Sequence, residues 1–185
     1  MKKVVGLSGS LRKGSYNTSL LRAAVALAPS DLVIESASIA DIPLYDGDVE
    51  ATSGIPASVA SLKDRIAQAD GLLLVTPEYN QSIPGVFKNA IDWLSRPGKD
   101  MERVFGAKPI GVIGATPGMG GTRLAQTAWL PVLRALGAAP WFGKQLYVAG
   151  AGQVFDAEGK LGDAKVTQLL REYLAAFAQV IAAKS

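Results

Sequence analysis

Between Gly71 and Thr76 the chain reads GLLLVT, an apolar run with no polar alternation, and runs of the same kind recur at Val4–Leu7, Leu32–Ser36 and Lys108–Thr116. A strand that is apolar on both faces must be covered on both faces, which is the condition of a parallel sheet between two layers of helices. The intervening segments carry the helical period. Leu20, Leu21, Ala24, Val25 and Ala28 share one face, as do Val59, Leu62 and Ile66 after Pro56, and Phe87, Ala90, Ile91 and Leu94 after Pro84. Leu124, Ala125, Ala128, Trp129, Val132 and Leu136 form a fourth stripe, with Pro131 expected to kink it or to leave a carbonyl unpaired. The stripe from Asp163 to about Ala183 closes the series. A fifth strand is expected near Phe142–Val148, and Ala40–Pro56 reads as a long loop. The expected fold is therefore α/β: a three-layer, doubly wound, five-stranded parallel sheet of order 2-1-3-4-5, or half of a dinucleotide-binding fold. At 185 residues, with no repeat or linker, residues 1–185 read as a single domain.

Two residue types are missing, and their absence narrows the chemistry. The chain has no cysteine and no histidine. Triad hydrolysis, thiol catalysis, disulfides and the usual zinc sites all require one or the other. An enzyme of this sequence must work with carboxylates, lysine, tyrosine or a borrowed cofactor. The formal charge is +3, but lysines and arginines are scattered, which argues against a nucleic-acid partner. No apolar run approaches the ~20 residues of a membrane span, so no membrane association is expected. The first residues pass straight into a strand pattern without a secretory signature, and a cytoplasmic location is expected.

Ligands of doubly wound sheets bind beyond the carboxyl ends of the strands, where the strand order reverses. Three loops should meet there: Ser8–Thr18, Pro77–Gln81 and Thr116–Gly121. The first has the content of an anion site, with helix-start amides, the side chains of Ser10, Ser15, Asn17 and Thr18, and the guanidinium of Arg12. Its plainer reading is a helix cap by Asn17 or Thr18 with Arg12 in solvent. It lacks the Gly-Lys-Ser/Thr ending of a Walker loop and the G-x-G-x-x-G spacing of a nicotinamide fold. The second loop, TPEYNQSIPG, is held between Pro77 and Pro84, and reads as a stiff extended edge beside a flat aromatic ligand or as a proline-bounded turn exposing Tyr79. Glu78 has no partner carboxylate at a readable spacing, so an acid pair has little support. The third loop has four glycines between Gly114 and Gly121, which suit close approach to a ligand or a flexible crossover.

GSLRKGSYN at Gly9–Asn17, TPEYNQSIPGVFKNAIDWLSR at Thr76–Arg96 and IADIPLYDGDV at Ile39–Val49 together resemble the NAD(P)H-dependent FMN reductase family, in particular its bacterial quinone and chromate reductase branch. The resemblance spans the chain. It implies a flavodoxin-like fold, bound FMN, NAD(P)H as co-substrate, and a homodimer or homotetramer with the flavin near a subunit interface. It assigns the FMN phosphate to Ser10, Arg12, Ser15, Asn17 and Thr18. It sets the flavin ring edge against Pro77, Glu78, Tyr79, Asn80 and Gln81, with Thr116 and Gly118 approaching from the third loop. Gln81 stands where relatives commonly have a second tyrosine, and ATPGMGG replaces a more serine-rich turn. The implied activity is ping-pong hydride transfer through the flavin from NAD(P)H to a quinone, or to chromate, free flavin or an azo compound, with no protein nucleophile and no metal. The rival is a flavodoxin-type electron carrier. Carriers are usually acidic, whereas this chain has 19 basic and 16 acidic residues.

Overall fold

The computed structural model describes residues 1–183. Strands β1 (Lys2–Ser8), β2 (Leu32–Ala37), β3 (Gly71–Val75), β4 (Pro109–Ala115) and β5 (Ala139–Trp141) lie in the order β2-β1-β3-β4-β5, and every pairing is parallel. This is the flavodoxin-like order. A sixth strand, β6 (Tyr147–Val148), pairs with the end of β4, while β5 pairs with its start. Of the expected Phe142–Val148 strand only the end, Tyr147–Val148, is extended, and β5 lies just before the expected range. The chain folds back over the Trp141 indole at Gly143, where a Cβ would lie 2.6 Å from Trp141 Nε1. That turn takes residues 142–146 off the edge of β4.

Each face of the sheet has its own core, and the period of two along the strands assigns residues to one or the other. Val5, Leu7, Leu72, Leu74, Ile110 and Val112 pack beneath α3 (Ala57–Ala67), α4 (Gly85–Leu94), α5 (Met101–Phe105) and α6 (Arg123–Ala135). Val4, Leu73, Val75, Ile113 and Ala115 face α1 (Tyr16–Leu27) and α8 (Ala164–Ala183). Trp93, Phe87 and Trp129 fill the first core, and Tyr173 and Phe177 the second. Burial pushes the Tyr173 hydroxyl well above its ordinary pKa. Helix α6 continues through Pro131, which lies on the exposed face, where Thr127, whose carbonyl it cannot bond, is also exposed. No described helix is long and apolar enough to cross a membrane.

The stretch expected as a loop contains a helix, α2 (Gly47–Ser53), none of whose residues is buried. That is why no apolar period announces it. Asp46 caps its start, and Gly54, at φ 76°, ends it. The segment before it is tied to α4, with the Tyr45 amide donating to Asn89 Oδ1, and Asn89 Nδ2 and Trp93 Nε1 both donating to the Pro43 carbonyl. Arg96 closes the strap on Glu50 at 2.8 Å and holds that carboxyl below its ordinary pKa. The remaining helix, α7 (Ala151–Val154), follows β6 and backs the third loop of the site.

Candidate functional site

The reversal in strand order falls between β1 and β3, and the loops after β1, β3 and β4 meet above it. They enclose a cleft of about 60 Å³. A water needs roughly 10–15 Å³, so the cleft admits a small group of about four to six heavy atoms, a range that includes a phosphate.

The first wall is the β1–α1 loop. Gly9 keeps the chain on the sheet, its amide donating to the Val75 carbonyl, and a Cβ there would sit 2.2 Å from the Phe87 ring. Ser15 rather than Asn17 or Thr18 caps α1, its Oγ accepting from the amides of Asn17 and Thr18 at 3.2 and 3.3 Å. That leaves the Ser15 hydroxyl proton free to donate into the cleft. Ser10 Oγ accepts from the Arg12 amide, and its proton is free in the same way. The first turn of α1 carries no acidic residue. The Arg12 guanidinium is exposed and has no hydrogen bond or ion pair among the described residues. A helix start, two hydroxyl donors and an uncommitted cation around a small cleft are groups that could hold an anion.

Asn17 does something that its spacing in the sequence does not announce. It is 4% exposed, its Nδ2 donates to the Ala115 carbonyl at 2.8 Å, and its Oδ1 accepts from the Ala115 amide at 2.9 Å. This two-point clamp fixes the start of α1 to the end of β4. One Nδ2 hydrogen remains for the cleft. Thr18 turns away, pairing its hydroxyl with Ser8 at 3.0 Å.

The second wall is a tight turn. Tyr79 and Ser82 exchange both backbone hydrogen bonds around Asn80 at φ 48° and Gln81 at φ 62°. Two left-handed residues between bridged neighbours make a type I′ turn, so the loop reverses where an extended course was one expectation. Asparagine tolerates that region at lower cost than glutamine. Gln81→Gly is therefore expected to stabilise the fold by a few tenths to about 1 kcal/mol, read as a higher urea midpoint. The Glu78 carboxylate is also committed. Its Oε2 accepts from the amides of Leu124 and Ala125 at 2.9 and 3.1 Å, capping α6, whose own cap residue Thr122 is left-handed and makes no side-chain bond to the helix-start amides. Loop two is thereby latched to the end of loop three. Pro77, Glu78 and Tyr79 line the cleft, whereas Asn80 and Gln81 form the turn beyond it.

The third wall is stitched down rather than flexible. The Thr116 amide donates to the Val148 carbonyl, its carbonyl accepts from the Ala151 amide, and the Gly118 carbonyl accepts from the Gly150 amide. Two of the four glycines face protein: a Cβ at Gly114 would meet the Thr76 carbonyl, and one at Gly121 would meet Tyr147. Thr116 lines the cleft, and Gly118 lies outside it. Tyr16, Ala115 and Pro117 line it without having been expected. Tyr16 lies between two expected residues, and its ring stacks on Phe155 at 6.0 Å.

The sequence profile of the NADPH-dependent FMN reductase family matches residues 2–153. The chain belongs to that family. An NAD(P)H-dependent FMN reductase of Pseudomonas aeruginosa is 44% identical over 174 residues, covering 94% of this chain and 92% of that protein. A 2-hydroxy-1,4-benzoquinone reductase of a Burkholderia species is 39% identical over 181 residues, covering 98% and 94%. Among solved structures, FerB, a flavoenzyme NAD(P)H:(acceptor) oxidoreductase from Paracoccus denitrificans, superposes with a TM-score of 0.86 at 37% identity, covering 98% of this chain and 97% of that one. The chain is accordingly an oxidoreductase flavoenzyme with FMN as cofactor and NAD(P)H as co-substrate. The cleft fits that cofactor on its own chemistry, because a phosphate monoester meets donors and an unpaired cation there, and the cleft's one carboxylate is engaged by helix amides.

Proposed function

We propose that the chain is an FMN-dependent NAD(P)H:quinone oxidoreductase whose flavin phosphate binds in the cleft at the β1/β3 reversal. The uncommitted Arg12 guanidinium, beside a helix start that carries no acidic residue, supports this reading most directly. In this assignment Ser10, Ser15 and Arg12 donate to the phosphate, and Asn17 holds the helix start in place while offering its remaining Nδ2 hydrogen. Pro77, Glu78 and Tyr79 present backbone along one side of the flavin ring, Thr116 closes the other, and Asn80, Gln81 and Gly118 edge the mouth. Thr18 braces the loop through Ser8. When bound, FMN supplies the reversible two-electron chemistry that a chain without histidine or cysteine does not supply itself.

The acceptor reading follows the Burkholderia relative, whose name is that of a benzoquinone reductase. Chromate, free flavin and azo compounds are secondary acceptors in this reading. NAD(P)H and the quinone use one site in turn, which predicts parallel double-reciprocal lines. Tyr79, which lines the cleft, and Met119 and Leu124, on and just after loop three, are large exposed side chains. They fit a homodimer or homotetramer in which a second copy covers the site.

Arg12→Ala tests the phosphate assignment. Losing one charge-assisted hydrogen-bonding partner is worth about 1.5–3 kcal/mol, so FMN affinity should fall roughly ten- to a hundredfold in a fluorescence titration. Stability of the flavin-free protein should not move, because the guanidinium has no protein partner to lose. Unchanged FMN affinity would remove the phosphate from this loop.

A further inference from the structure

A second cavity, of about 290 Å³, lies at the carboxyl ends of β1 and β2, on the opposite side of the first loop from the cofactor cleft. Ser10 and Arg12 line both spaces. Lys13 joins Arg12 on its wall, and neither side chain has a hydrogen bond or ion pair among the described residues. Among the described residues no carboxylate lines it. The acidic residue of β2, Glu35, is already engaged by Lys3 at 3.0 Å and Arg65 at 3.9 Å. Another groove touching Lys13 differs in this respect, since Asp156 and Glu158 line it together with Lys13 and Arg22.

Hydroxyl donors complete the wall. Ser8 and Thr18 share one hydrogen bond, so one of their two protons is left over, and Ser38 Oγ accepts from the Ala40 amide with its own proton free. Leu21 and Ile39 line the cavity beside them. Two cations and several hydroxyls over an apolar surface suit a phosphate monoester carried on a sugar. The flavin's own phosphate is one such group, but the smaller cleft already matches it. The co-substrate brings the other.

We propose that this cavity binds the ribose 2′-phosphate of NADPH, and that Arg12 and Lys13 make the enzyme prefer NADPH to NADH. The proposal rests on the placement of the flavin phosphate in the neighbouring cleft. In it the two phosphates flank one loop, with Arg12 between them.

The test is calorimetric titration of the FMN-loaded protein, and of the protein stripped of flavin, with adenosine 2′,5′-bisphosphate and with ADP. The 2′-phosphorylated probe is expected to bind about tenfold tighter or more, and Lys13→Glu is expected to abolish the difference. The same substitution should lower the ratio of kcat/KM for NADPH to that for NADH by about tenfold. Equal binding of the two probes by the unsubstituted protein, or a difference that survives Lys13→Glu, would overturn the proposal. A Lys13→Glu protein that loses FMN affinity instead would assign the cavity to the flavin phosphate and overturn it too. Titrating the stripped protein with FMN as well keeps the two readings apart: failure to bind FMN overturns the cofactor reading, whereas equal binding of the two adenosine probes overturns this one.

Discussion

Replacing Asn17 with alanine is expected to destabilise the flavin-free protein by about 2–5 kcal/mol. The substitution removes two hydrogen bonds and leaves the Ala115 amide and carbonyl without partners at a position 2% exposed. A buried polar backbone group left unsatisfied costs about 1–3 kcal/mol, and here there are two. For a chain of this length the melting temperature should drop by roughly 5–15 °C. Asn17→Asp should be no remedy, because it keeps the acceptor for the Ala115 amide but sets a carboxylate oxygen against the Ala115 carbonyl. Urea denaturation without flavin is the measurement that discriminates. A residue that only bound the phosphate would leave that curve where it was.

Gly114→Ala should have the second large effect. A Cβ at this position would lie 2.2 Å from the Thr76 carbonyl oxygen and 2.3 Å from Thr122 Oγ1. The first of these is backbone and cannot swing aside, so β3 and β4 must separate or twist locally. The cost should reach about 3 kcal/mol, the upper part of the usual range for overpacking a tight interior. Loop two leaves the sheet at Thr76 and loop three ends at Thr122, so both walls of the cleft move with the strain. FMN affinity is expected to fall by more than tenfold. Gly118→Ala is the control, because the nearest atom to its Cβ would be Thr116 Oγ1 at 3.8 Å. It should change stability by less than about 0.5 kcal/mol. Equal effects of the two substitutions would refute the close approach as the cause.

Both predictions depend on features that the sequence carries only in part. The first four strands are legible because burial on both faces leaves an unbroken apolar run, and Gly71–Val75 is found where GLLLV stands. The place of the site is legible because strand order alone decides where loops converge. Hidden from the sequence were contacts whose partners lie far along the chain. Asn17 reaches Ala115 across 98 residues, and Glu78 reaches the start of α6 across 46. Asn17, assigned to a ligand, therefore holds the scaffold as well, and Glu78, weighed for an acid pair and found without a partner, caps a helix. Gln81 gives no local sign of a left-handed backbone, so the flanking prolines left an extended edge and a turn exposing Tyr79 both open, and the chain takes the turn. Glycine content suggested close approach to a ligand or a flexible crossover, whereas Gly114 and Gly121 make close approaches to protein, at Thr76 and Tyr147. The short outer strands escaped because three residues of β5 and two of β6 are too few to show a period.

The central claim is that the cleft above β1 and β3 holds FMN, and the visible spectrum of the purified protein tests it most directly. The protein is expected to be yellow, with flavin absorption bands, and to release one FMN per chain on heat denaturation, identified by mass. A colourless protein that takes up no FMN when titrated with it, or one that releases a different flavin, would contradict the account.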